Sequence, residues 1–188
     1  MGLVPVNLFA SCLVLVAAWL AVFVESVFDL TRWLLGAQVD LLAPLMVYAA
    51  LACDLPTVLL LAGVGGLWFD SLSANPLGVT TLALLGPGLL LHLRRGLILR
   101  NQLTARLILG WVICGVVPLL SVLLLLTLRQ DPLLGWHSLW RWLLVTLVGG
   151  LLTPLVFQTL DSVTHSLSYR RVHEPGTRPD REIRRGRM

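Results

Sequence analysis

The sequence predicts an all-α integral membrane protein: one bundle of six transmembrane helices with both termini on the cytoplasmic side. Three observations predict it. Hydrophobic residues make up 57% of the 188 and charged residues 13%, with a mean hydropathy of +0.86, whereas a soluble domain carries about 25% charged residues. The apolar residues lie in long runs nearly free of charge, as bilayer-crossing helices require. The basic residues are all arginine, concentrated at 94–106 and 170–187.

The elements are taken in chain order. The first span is predicted over about 4–24. Residues 1–7 carry no Lys or Arg and no A-x-A-like site closes the run, so a cleaved signal peptide fits poorly. A polar stretch with Glu25, Asp29, Arg32, Gln38 and Asp40 comes next. Residues 39–69 are apolar but too long for one span, since a helix rises 1.5 Å per residue across a core of about 30 Å. Asp54-Leu55-Pro56 breaks this run. Asp54 suits a helix cap and Pro56 a first turn, where its missing N–H costs nothing. Two shortish spans result, 40–53 and 56–69. The remaining spans are predicted at 76–93, 103–128 and 139–160, giving a single transmembrane domain over 1–168. Residues 169–188 form an Arg-, Pro- and Gly-rich cytoplasmic tail, too poor in apolar residues to fold alone.

Orientation is set by the arginines, because Arg beside a span is retained on the cytoplasmic side. Placing Arg94, Arg95, Arg100 and Arg106 inside puts the tail inside as well, two spans later. Trp33, Trp68, Trp136, Trp140 and Trp142 then all fall at the outer edge, where indoles favour the headgroup region. This retention also explains the basic pI of about 9.6 better than nucleic-acid binding does. Cys12, Cys53 and Cys114 lie apart within apolar runs and read as buried small hydrophobes.

Sites of chemistry are hard to find. His92, His137, His165 and His173 are dispersed, without a second His or a carboxylate at ligand spacing. Ser11 and Ser121 have no visible base and no G-x-S-x-G elbow. No catalytic, cofactor or metal residues are expected. Gly63 and Gly66, and Ala17 and Ala21, form small-x-x-small and small-x-x-x-small pairs that let helices approach closely. Asp40 and Asp70 are expected at the outer ends of adjacent spans, either capping helices or forming a rim patch that engages another membrane protein. Asp70 shows no partner for catalysis, and Asn75 is a candidate cap for the span after it.

Three stretches together carry a family resemblance: Gly36-Ala37-Gln38-Val39-Asp40-Leu41-Leu42, then GLWFDSLSANPLG ending at Gly78, then TPLVFQTLD over 153–161. They resemble the rod shape-determining protein MreD family of small bacterial inner-membrane proteins. The likeness covers most of residues 8–165. Its most specific part is the Gly, Asp, Ser, Pro-Leu-Gly progression across 66–78. The family often has Pro-Asp-Leu-Leu where this chain has Val39-Asp40-Leu41-Leu42, and Gly where Ala74 stands.

The resemblance implies a six-helix fold like that of vitamin-transporter S-components, and a non-catalytic adaptor role in lateral peptidoglycan synthesis. The implied partners are an MreC-like bitopic protein, the MreB filament, a SEDS glycosyltransferase and a class B penicillin-binding transpeptidase. Candidate partner contacts are Gln38, Asp40, Asp70, Pro76, Gly78, Gly63, Gly66, Ala17 and Ala21. Arg94, Arg95, Arg100 and Arg106 would form a basic inner surface facing anionic lipid or the filament. The alternative function is a substrate-binding S-component of an energy-coupling-factor transporter. That reading needs polar and aromatic side chains converging on a pocket open to the outside, and the spans show few.

Overall fold

The apolar runs form helices, as lipid demands, because a helix satisfies its own backbone hydrogen bonds. The computed structural model describes residues 5–27, 40–73, 76–97, 103–129 and 135–171. Among these there are helices and no strand. They are α1 (Pro5–Val27), α2 (Leu42–Ala52), α3 (Leu55–Leu72), α4 (Val79–Arg94), α5 (Leu103–Thr127) and α6 (Trp136–Arg171). Within α3 and α6, Leu55–Leu72 and Ser138–Thr164 are long and apolar enough to cross a membrane, as is all of α5. Ala10–Glu25, α2 and α4 are shorter apolar helices. The chain is thus a helical protein of membrane character.

The boundaries reflect local chemistry. Asp54 holds the N-cap position of α3 with extended backbone, and Pro56 sits in its first turn. The Asp54 side chain is exposed and makes no cap bond; its carbonyl instead accepts from Thr57 and Val58. Gly78 starts α4 at φ +97°, a conformation open to glycine at little cost. The last helix runs to Arg171, past the expected span end at 160 and into what the sequence reads as tail. Residues 172–188 lie outside the described residues.

One element is enclosed by the others. Residues 42–51 of α2 are all buried, and α2 packs against α1, α4, α5 and α6. Eleven residues span about 16 Å, roughly half the hydrocarbon core. Helix α2 is therefore a short central rod sheathed by its neighbours. The core collects on it: Leu42, Met46 and Val47 with Val14 and Val22 of α1, Leu61 of α3, Leu84 of α4 and Phe157 of α6.

Helix α3 contains a π-helical turn at Leu61–Gly65. Such a turn adds a residue to the helix and rotates the remainder of it about the axis. Gly63 lies within it and Gly66 just after it, and the two have different surroundings. A Cβ on Gly63 would meet nothing within 4 Å, whereas one on Gly66 would come within 2.7 Å of the Thr81 Cα of α4. Helices α5 and α6 approach as closely, with Gly110 against Thr153 and Gly149 against Cys114.

Candidate functional site

A helix that begins and ends inside the protein presents backbone N–H and C=O groups where no water can meet them. Side chains meet those of α2 at both ends. At its start, the Leu41 N–H donates to Glu25 Oε1 at 2.6 Å and the Leu42 N–H to Asp40 Oδ1 at 2.8 Å. At its end, His92 Nδ1 lies 3.1 Å from the Ala50 carbonyl oxygen, so that nitrogen carries the proton. Arg95 Nη1 donates to the Cys53 carbonyl at 3.1 Å. Acidic groups at the N-terminus and a cation at the C-terminus also complement the helix dipole.

The turn from α3 to α4 is built the same way. Asp70 is 1% exposed. Its Oδ2 accepts the Gly78 N–H at 2.8 Å, and both its oxygens lie within 3.2 Å of the Thr80 nitrogen. The carboxylate of α3 therefore caps α4. Of the two readings of Asp70, helix cap or rim patch, this geometry matches the cap: its carboxylate is engaged inside the joint. Gly66 makes the joint possible by letting α3 lie against Thr81. Pro76 is half-buried, and its carbonyl accepts the Val79 N–H.

A third polar group lies near the start of α5. Arg106 pairs with Asp161 of α6 at 3.5 Å, and its guanidinium carbon sits 4.6 Å from the Phe157 ring centroid. The Tyr48 hydroxyl of α2 donates to Asp161 Oδ1 at 3.2 Å, and the Tyr48 ring meets Phe157 edge-on. A cavity of about 630 Å³ opens here, lined by Arg106, Asp161, Gln158, Ser162, Leu103 and Pro154 among others. Arg106 is thus drawn inward, while Arg94 and Arg95 are exposed at the end of α4. Gln38 and Arg100 lie outside the described residues, as does Asn75.

The small residues proposed for partner contact divide. Ala17 and Ala21 are half-buried and pack on the chain's own core, as Gly66 packs on Thr81. Gly63 remains open. Near it on α3, Val64, Leu67 and Trp68 are exposed, and Trp68 lies 6.5 Å from Trp19 of α1, which stacks on Phe23. Of the tryptophans expected at the outer edge, Trp140 is exposed and Trp142 donates to the Gly115 carbonyl of α5. Trp33 lies outside the described residues. Cys53 and Cys114 are buried as expected, but Cys12 is exposed on α1.

Sequence reasoning left Glu25, Tyr48 and His92 without a task, because each acts on a residue 16 to 113 positions away. Among the described residues no three His, Cys, Asp or Glu side chains are placed to hold a metal ion. Comparison with known proteins finds no match: none among protein families, none among curated proteins and none among solved structures.

Proposed function

We propose that this chain is a non-catalytic membrane scaffold of a bacterial elongation complex, acting in cell shape and lateral peptidoglycan synthesis as MreD-like proteins do. One observation carries the reading. The residues that bear the resemblance, Gly66, Asp70, Pro76 and Gly78, form one helix-to-helix joint in which Gly66, Asp70 and Gly78 each have an identifiable structural task. A stretch used this way is a signature of fold, and it supports kinship through architecture rather than through a shared reaction. In this proposal the protein crosses the inner membrane six times with both termini inside. Its partners are an MreC-like bitopic protein and, through it, the filament, the SEDS glycosyltransferase and the class B transpeptidase.

The open face of α3 around Gly63 and Trp68, beside Trp19 of α1, is the proposed seat of the partner's transmembrane helix. Arg94 and Arg95 face anionic lipid at the inner surface. The alternative, a substrate-binding transporter component, is less well supported. The cavity beside Arg106 lies at the inner end in this topology, away from a substrate arriving outside. Depletion in a rod-shaped host should give rounded cells, and an MreC-like protein should co-elute in mild detergent. Unchanged rods, or a co-eluting transporter ATPase, would reject the scaffold.

A further inference from the structure

The start of α2 holds a group that helix capping does not fully explain. Consecutive backbone amides, Leu41 and Leu42, each bind one oxygen of a different carboxyl group, Glu25 from α1 and Asp40 from the segment leading into α2. This brings the two acids together, and the charge of Asp40 acts on Glu25. Glu25 is 7% exposed, and its second oxygen, Oε2, is buried with no hydrogen-bond partner.

Among the described residues the surroundings supply little positive charge. On α5 the Cys114 thiol lies within electrostatic reach of Asp40 and is hydrogen-bonded to Thr153 of α6. Asp70 of α3 is occupied by the amides of Gly78 and Thr80. His92 of α4 caps the opposite end of α2, and Arg106 of α5 pairs with Asp161 of α6 beside Tyr48 of α2. Asp29 and Arg32 lie outside the described residues. The N-terminus of α2 contributes the equivalent of about half a positive charge. Two ionised carboxylates side by side, Glu25 buried and Asp40 half-buried, would remain under-compensated.

We propose that Glu25 and Asp40 form a partly buried proton-binding site at the head of the central helix, the pair of carboxyl groups holding one exchangeable proton. The proton belongs on Glu25 Oε2, the one oxygen of that acid without an N–H donor. A proton fits better than a metal ion. Calcium takes six to eight oxygen ligands, whereas here two backbone N–H groups already point at the carboxyl oxygens. The site links α1 to α2 through a charge that can be added or removed, and it does not depend on the scaffold reading.

Infrared difference spectroscopy of the full-length protein in lipid nanodiscs tests it. At neutral pH the protein should show a protonated-carboxyl C=O band that shifts in D2O. Glu25→Gln should remove the band, Asp40→Asn should displace it, and Asp70→Asn should leave it in place. The folded pair binds one proton that ordinary unfolded carboxylates release, so thermal stability should fall as pH rises above the usual carboxylate range. Glu25→Gln should flatten that dependence. Absence of the band in the wild type, or its survival in Glu25→Gln, would overturn the proposal. If Glu25→Gln does not fold, an undisplaced band in Asp40→Asn overturns it equally. A sodium-dependent rise in the unfolding midpoint at fixed pH without the band would assign a metal cation and also overturn it.

Discussion

The carboxylate of Asp70 accepts the Gly78 N–H at 2.8 Å, so the single acidic residue of α3 caps the next helix in the chain. Hydrogen bonds to a charged acceptor contribute about 1.5–3 kcal/mol each when buried. Asp70→Asn removes the charge and turns an amide NH2 toward donors, and should lower stability by roughly that amount. Asp70→Ala should cost more, because the Gly78 and Thr80 N–H groups lose this acceptor. Thermal unfolding in detergent reads both. An unchanged midpoint in either variant would show that the joint does not depend on this carboxylate.

Gly66 and Gly63 should respond differently to the same methyl group. Gly66→Ala drives a Cβ to within 2.7 Å of the Thr81 Cα, so backbone must move; overpacking of this kind costs about 1–3 kcal/mol. Gly63→Ala meets open space and should leave stability within about 0.5 kcal/mol of the parent. Co-elution of an MreC-like partner should survive Gly63→Ala and fail with Gly63→Trp if that face is the docking seat. Equal destabilisation by both alanines would contradict the packing of α3 on α4.

The existence of the helices was legible because charge-free apolar runs have few alternatives in a chain this hydrophobic. The burial of α2 was not. A helix that is apolar all round reads identically whether lipid or protein surrounds it, and residues 42–51 carry no polar stripe to decide. The part Asp70 plays in capping α4 is hidden for a related reason. Local rules point to Asn75, which lies outside the described residues, and not to Asp70, eight positions before Gly78. Glu25 escaped notice because its target, Leu41, lies across a segment whose path the sequence does not reveal. The π-helical turn that contains Gly63 and ends just before Gly66 has no pattern of its own either.

His92 should prove structural. Its Nδ1 meets the Ala50 carbonyl inside the protein, where no solvent replaces a lost donor. His92→Phe keeps the ring and removes the donor, so it should cost about 1–3 kcal/mol, the penalty for stranding a buried acceptor. Metal addition should shift the unfolding midpoint of neither the parent nor the variant. A metal-dependent midpoint abolished by His92→Phe would assign the residue a ligand role instead.

Arg106 and Asp161 offer a test of whether α5 and α6 are tied by charge as well as by close packing. Exposed ion pairs contribute about 0–1 kcal/mol, but here the side chains of Arg106 and Asp161 retain 14% and 27% of their exposure. Phe157 lies under the guanidinium and Tyr48 donates to the carboxylate, so both groups are held in place before they pair. Little side-chain freedom then remains to be lost on pairing. A double-mutant cycle of Arg106→Gln and Asp161→Asn should give a coupling energy of about 0.5–3 kcal/mol. The coupling should weaken only in part with salt, because the pair is partly buried yet lines an open cavity. Tyr48→Phe should reduce it, since the hydroxyl orients the carboxylate. A coupling that vanished at high salt would place the pair at a solvated surface and leave the glycine contacts of α5 and α6 as the tie between them.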